Sequence, residues 1–150
     1  MIEVENLGKT YVETPVVRDL SFFVPEGQVL GFLGPNGAVK TTVMRMLTAF
    51  LPATTGRVVV AGVDLDQDPV DLRRNVGYLP ENVPLYPEMR VDEYLRFRAD
   101  VEEVPRGEVR SRVDEVVGRC LIGDVRRQVI GTLSKGYRQR VGIAGSLIHH

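Results

Sequence analysis

Along this chain the spacing of apolar residues switches from two to between three and four, and the switches mark out its elements. Ile2 and Val4, then Leu20, Phe22 and Val24, alternate with more polar neighbours and predict two strands near the start. "PEGQ" at 25–28 predicts a turn, and the apolar run "QVLGFL" at 28–33 predicts a short buried strand. Val43, Met46, Leu47, Phe50 and Leu51 recur at helical spacing, which predicts one apolar face on a helix ended by Pro52. "GRVVVAG" at 56–62 predicts a further strand, and "VGYLP" at 76–80 another, stopped by Pro80. Beyond it the period is helical. Val91, Tyr94 and Leu95 predict one helix, and Val109, Val113, Val116 and Val117 a second, with Glu108 and Arg112 spaced as an i,i+4 ion pair on its wet side. A last helix is predicted from near Gly136, carrying Val141, Ala144 and Ile148 inward. A β-rich segment with one embedded helix thus precedes an almost wholly helical one.

Length and composition narrow the class. A chain of 150 residues is long enough for one domain with a real core. Nineteen basic against twenty acidic side chains leave a net charge of −1, so no global field recruits nucleic acid or anionic lipid. Basic clusters interleaved with aromatics are also lacking, which argues against direct nucleic-acid work. Cys120 is the only cysteine, which excludes an internal disulfide or a multi-cysteine metal cluster. Within "VVGRCLIG" it continues an apolar helical face and reads as a small filler. No apolar run approaches the roughly 20 residues that span a bilayer, and "MIEVENLGKTY" has no signal-peptide pattern. If the protein works at a membrane, another chain is expected to supply the membrane part.

The stretch "GPNGAVKTT" carries the chemistry. The pattern Gly-x-x-x-x-Gly-Lys-[Ser/Thr] between a strand and a helix curls successive backbone N–H groups into an anion nest, to which the helix N-terminus adds its positive dipole end. The lysine reaches the β- and γ-phosphates, and the next hydroxyl ligates Mg²⁺. Gly34, Gly37, Lys40 and Thr41 stand at the required places. The plainer alternative, a glycine-rich turn capping a helix with Lys40 as a solvated charge, leaves too many matched positions unexplained. At Val39, however, the pattern asks for glycine. If that position needs positive φ, a Cβ there costs roughly 1–2 kcal/mol; if it needs close approach, the isopropyl group occupies phosphate volume. Either way Val39 is expected to weaken triphosphate binding without abolishing the fold.

A second phosphate-facing element is predicted in "TLSKGYRQRVGIAGSLIHH", where Ser134 is a natural N-cap and Gly136 permits close backbone approach. Taken alone, this is a well-capped helix with arginines on its exposed face. Paired with the stretch at 34–42 it means more. The two together resemble the Walker A motif and the ABC signature, usually written LSGGQ, of ABC transporter ATP-binding subunits. "GYLPENVPLYPEMRVDEYL" between them resembles the Q-loop region of the same family, and its wording is similar to the exporter branch of ABC-2 type permeases.

The resemblance implies an α/β fold: a P-loop NTPase core with an N-terminal antiparallel β portion and a helical subdomain, its core sheet incomplete. It divides the chain at about residue 80, with a β and phosphate-loop part before and a helical signature part at about 81–140. Tyr11 matches the aromatic that stacks on adenine, though a core or edge-strand tyrosine is equally compatible. Gly34, Pro35, Asn36, Gly37, Ala38, Val39, Lys40, Thr41 and Thr42 would cradle the phosphates of ATP, with Lys40 on the β/γ oxygens and Thr41 on Mg²⁺. Glu81 stands where the family usually has a glutamine that senses Mg²⁺ and the attacking water. Ser134 and Gly136 would contact ATP held by a second nucleotide-binding subunit in a head-to-tail dimer, while Lys135 and Tyr137 replace the usual glycine and glutamine.

Implied partners are transmembrane permease subunits and that second subunit; the implied place is cytoplasmic, peripheral on the inner face of the cell membrane. The Walker B aspartate, catalytic glutamate and switch histidine of the family are not among these residues, and His149 and His150 read as helix-terminal cations. The chain is therefore expected to be a portion of a longer ATPase, with an unpaired sheet edge and an uncovered apolar surface. Three functions fit: an energy-coupling transport subunit, a degenerate non-hydrolytic partner of an active subunit, or a soluble ATPase of the same family acting without a permease.

Overall fold

The computed structural model describes residues 1–33 and 38–149, which divide into two units, Met1–Val76 and Gly77–His150. The predicted loop residues Gly34, Pro35, Asn36 and Gly37 lie outside the described residues, as does His150.

In the first unit β1 (Ile2–Tyr11), β2 (Thr14–Val24), β3 (Thr55–Val60) and β4 (Val63–Asp64) form an antiparallel sheet in the order β2-β1-β3-β4. Val4 and Leu7 are three residues apart, so strict alternation would send them to opposite faces. Both are nonetheless buried in one core. An extra residue in β1 between them reverses the phase: Val4 pairs with Phe22 but Leu7 with Leu20. Asn6 sits in this bulge at φ 48°, and Asp19 at φ 46° marks the answering bulge in β2. Asn and Asp tolerate the left-handed region better than most residues. The Asn6 N–H donates to Ser21 Oγ at 2.8 Å, and Ser21 Oγ donates to Asn6 Oδ1 at 3.3 Å, which pins the first bulge. Across from it Gly56 lies at φ 88°, where a Cβ would come within 2.4 Å of Asn6 O.

Helix α1 (Ala38–Leu47) packs on the sheet through Val43 and Met46, and α2 (Pro69–Arg74) through Leu72. The predicted helix to Pro52 stops five residues early. Phe50 N–H bonds to Arg45 O at 2.9 Å and Ala49 N–H to Met46 O at 3.1 Å, with Ala49 at φ 57°, a Schellman closure. Phe50, expected on the apolar face, is exposed.

The strands expected at 28–33 and 76–80 do not form. Val29 and Leu33 are 99% and 94% exposed, while Phe32 packs against Phe22 with ring centroids 6.3 Å apart. An apolar run of this kind becomes a strand only when sheet partners flank it, and among the described residues none forms a ladder with it. The expected uncovered apolar surface is thus present at these positions.

The second unit packs α3 (Val91–Val101), α4 (Val109–Arg119) and α5 (Lys135–Ser146) around Leu95, Val113, Ile122, Ile130, Val141 and Ile148, all fully buried. Arg112 pairs with Glu115 at 3.3 Å, and Glu108 occupies the N-cap position of α4. Cys120, the C-cap of α4, is half-buried against the core, and burial pushes its thiol up. Schellman closures also end α3, through Val104 N–H to Ala99 O at 2.9 Å, and α4, through Ile122 N–H to Val117 O at 3.1 Å. Their left-handed residues are Glu103 at φ 58° and Leu121 at φ 54°, where glycine is the usual occupant.

Leu121 is 71% exposed, so removing its side chain sacrifices little burial. Leu121→Gly is expected to stabilise the chain by about 1 kcal/mol, read as a higher urea midpoint at unchanged slope. Gly56→Ala is expected to destabilise it by about 2–4 kcal/mol in the same assay, because left-handed strain and a backbone clash add.

Candidate functional site

Each unit carries candidate residues of its own, at one helix start and the segment beside it. In α1 the residues Val39, Val43 and Met46 lie at i, i+4 and i+7, one stripe of the helix. Val43 and Met46 are fully buried, whereas Val39, a turn nearer the N-terminus, is 45% exposed. Thr42 is buried beside this stripe. Anchoring that side turns Thr41 and Met44 to the surface, with Lys40 half-buried at the margin. The first turn of α1 contains no acidic residue, so nothing on the helix itself neutralises the positive end of its dipole.

Val39 therefore lies inside α1 and is not among the residues at positive φ. It thus carries no left-handed backbone strain. A β-branched residue in the left-handed region does occur elsewhere, at Val12 (φ 55°), the fully exposed tip of the β1–β2 hairpin.

Tyr11 ends β1 beside that tip, paired with Thr14. It is 43% exposed, and Lys9 Nζ sits 5.4 Å from its ring centroid while donating to Pro52 O at 2.7 Å. One ring face thus meets a cation, and the exposed ring is not a core tyrosine.

The other predicted residues belong to the second unit. Ser134 caps α5, its Oγ accepting from Tyr137 N–H at 3.3 Å. Gly136 is exposed, and the first turn of α5 again lacks acid. Glu81 lines a cleft of 360 Å³ whose floor is Val83, Leu85 and Ile130 and whose rim carries Lys135 and Arg138. The glutamate at the Q-loop position and the lysine that interrupts the signature therefore share one cleft.

Two features escaped the sequence. Gly142, in the middle of α5, lets the segment carrying Glu81 lie against the helix: a Cβ there would meet Val83 Cγ1 at 2.3 Å and Leu79 Cδ1 at 2.8 Å. An isolated glycine within a helical pattern was the available signal. The Tyr137 hydroxyl donates to Asp124 Oδ2, a contact thirteen residues back for which the pattern holds no sign.

The donor set fits a polyphosphate with a hard cation. A lysine, a surface threonine hydroxyl and an uncompensated helix start suit phosphate oxygens and Mg²⁺; the half-exposed Val39 side chain is the one misfit.

A family model described as ABC transporter matches residues 17–150. The chain is 30% identical over 149 residues to the linearmycin resistance ATP-binding protein LnrL of Bacillus subtilis (strain 168), covering 99% of this chain and 48% of that protein. Among solved structures, cbiO1 from Clostridium perfringens, part of the ABC transporter complex cbiONQ, superposes with a TM-score of 0.87 at 28% identity, over 99% of this chain and 61% of that one. The cassette MJ0796, a dimer in a post-hydrolysis state bound to ADP and Pi, gives 0.85 at 21% identity, over 99% and 70%, a likeness of fold. The chain spans about half the length of the curated relatives it matches. Within that span, the phosphate-loop helix and the capped signature helix belong to a P-loop α/β cassette, and the chain belongs to the ABC transporter family as part of its ATP-binding domain.

Proposed function

We propose that this chain is the nucleotide-gripping portion of a transport ATPase, and that its unit Met1–Val76 holds ATP while Gly77–His150 presents the signature edge to ATP on a second copy. The observation that carries this reading is the first turn of α1, where Lys40 and Thr41 follow the glycine-rich stretch and no residue of the turn is acidic. Lys40 would meet the β/γ-phosphate oxygens, Thr41 would ligate Mg²⁺, and the exposed ring of Tyr11 would lie against adenine. The N–H groups from Ala38 to Thr42 would complete the cradle begun by Gly34 to Gly37. Mg²⁺, when bound, neutralises charge between the β- and γ-phosphates. Glu81 would approach the same ion through a carboxylate oxygen, adding a negative charge where the family usually has an amide. Ser134 Oγ and the N–H groups of Lys135 and Gly136 would meet the γ-phosphate of the second copy.

ATP would close such a dimer and hydrolysis would reopen it, driving movement through separate permease subunits at the inner face of the cell membrane. Among the described residues no helix is long and apolar enough to cross a membrane, so the permease would be another chain. The linearmycin resistance role in the name of LnrL and the wording of the Q-loop stretch support an ABC-2 exporter.

Val39 favours a second reading, a weak-binding, non-hydrolytic partner of an active subunit, because its half-exposed isopropyl group would meet a phosphate approaching the start of α1. Titration with a fluorescent ATP analogue in Mg²⁺ separates the readings. Val39→Gly is expected to bind about tenfold tighter than the parent chain, a difference of about 1.4 kcal/mol, and Lys40→Ala to bind more weakly than either. Equal affinities for the parent and Val39→Gly would remove Val39 from the argument. A parent chain binding no better than Lys40→Ala would sink the phosphate-loop reading itself.

A further inference from the structure

The first turn of α5 is tied twice to the segment that follows α4. The Tyr137 hydroxyl donates to Asp124, in the 3-10 turn Gly123–Val125. Arg140, one turn further along α5, holds its guanidinium 5.7 Å from the Tyr137 ring centroid and donates from Nη1 to Leu121 O at 3.4 Å. Tyr137 also gives its backbone N–H to Ser134 Oγ. One residue thus secures the cap serine through its main chain and the 121–124 segment through its side chain. The hydrogen bond to Asp124, and then that carboxylate's charge, hold the phenol above its ordinary range.

The placement answers a difficulty specific to this helix. Its first turn carries Lys135 and Arg138 and no acid, so like charges add to the positive dipole end and favour fraying. An acid within the turn would correct this but would compete with any phosphate for the N–H groups. Asp124 supplies the anion from outside the helix, at the tip of the Tyr137 ring. The N–H groups of Lys135 and Gly136 then have no acceptor inside the helix. Ser134 Oγ, its lone pair taken by the Tyr137 N–H, keeps a proton to donate.

From this we infer that Asp124 and Tyr137 are positioning residues for the phosphate-facing edge Ser134–Gly136: their hydrogen bond holds the first turn of α5 formed and aimed while leaving its donors open to an anion. The inference rests on the shared-site reading proposed above. Hydrogen bonds weaken steeply as donors turn away from their acceptor, so a loosened first turn would lose grip on phosphate held by a second copy without affecting ATP held by its own.

The test measures ATP binding by fluorescence and ATP-dependent self-association by sedimentation, on the parent chain, Tyr137→Phe, Asp124→Ala and Asp124→Asn. Tyr137→Phe and Asp124→Ala are expected to bind ATP like the parent and to associate about tenfold more weakly, at unchanged melting midpoint. Asp124→Asn keeps an acceptor for the phenol and is expected to restore most of the association. Unchanged association in Tyr137→Phe and Asp124→Ala overturns the inference, as does a weakening that only tracks a lowered melting midpoint. Tighter association in both Asp124 variants also overturns it, by making Asp124 a repelling charge. A parent chain that binds ATP but never self-associates overturns the shared-site reading and this inference together.

Discussion

Burial of a stripe on each of two helices settles which side chains remain to meet a ligand. Val43 and Met46 lock the rotation of α1, and Val141, Ala144 and Ile148 lock that of α5. A period of 3.6 then leaves no choice about the first turns. Each stripe extends one turn towards its N-terminus, to Tyr137 in α5, packed at the edge of its core, and to Val39 in α1, which is 45% exposed. At the start of α5 the N–H groups of Lys135 and Gly136, which have no acceptor inside the helix, remain for something outside.

The left-handed positions show how the frame tolerates local strain. Three helices end in the same Schellman closure on Ala49, Glu103 and Leu121, none of them glycine. Each Cβ there opposes the closure by roughly 1–2 kcal/mol. After α4 the closure turns the chain sharply and delivers the next residue to the core: Ile122, directly after Leu121, is fully buried. In the sheet the same conformation at Asn6 and Asp19 has another purpose. There it resets the side-chain phase so that Val4 and Leu7 share one face, and Gly56 is the residue that makes room for the bulge opposite.

The four longer helices were legible in the sequence because a helix satisfies its own backbone, so side-chain spacing predicts its buried face; the six-residue α2 was not. The stretches at 28–33 and 76–80 were misread for the opposite reason. A strand exists only with its neighbours, and an apolar run such as "VLGFL" records a demand for sheet partners without supplying them. The bulge at Asn6 was in principle readable, as an Asn between apolar positions three apart. Of the site, Lys40, Thr41 and Ser134 could be placed from pattern because each belongs to a helix start with a local rule. The bond from Tyr137 to Asp124 could not, since it joins two turns through tertiary packing and neither residue breaks a local expectation.

Val39 shows how one residue can be read wrongly in conformation and still matter. A β-branched side chain at positive φ would strain the folded chain whether or not nucleotide is present. Inside α1 it does no such thing: it lengthens the apolar stripe by one turn and is compatible with the helix. On the proposed reading its penalty would fall only on the state in which a phosphate approaches the start of α1. A substitution that leaves the fold untouched while weakening one ligand lowers affinity without lowering stability. Such a residue can persist wherever nucleotide is abundant or a second site does the work. On the proposed reading, the polar groups of that turn suit phosphate and the half-exposed Val39 side chain would set how tightly it is held.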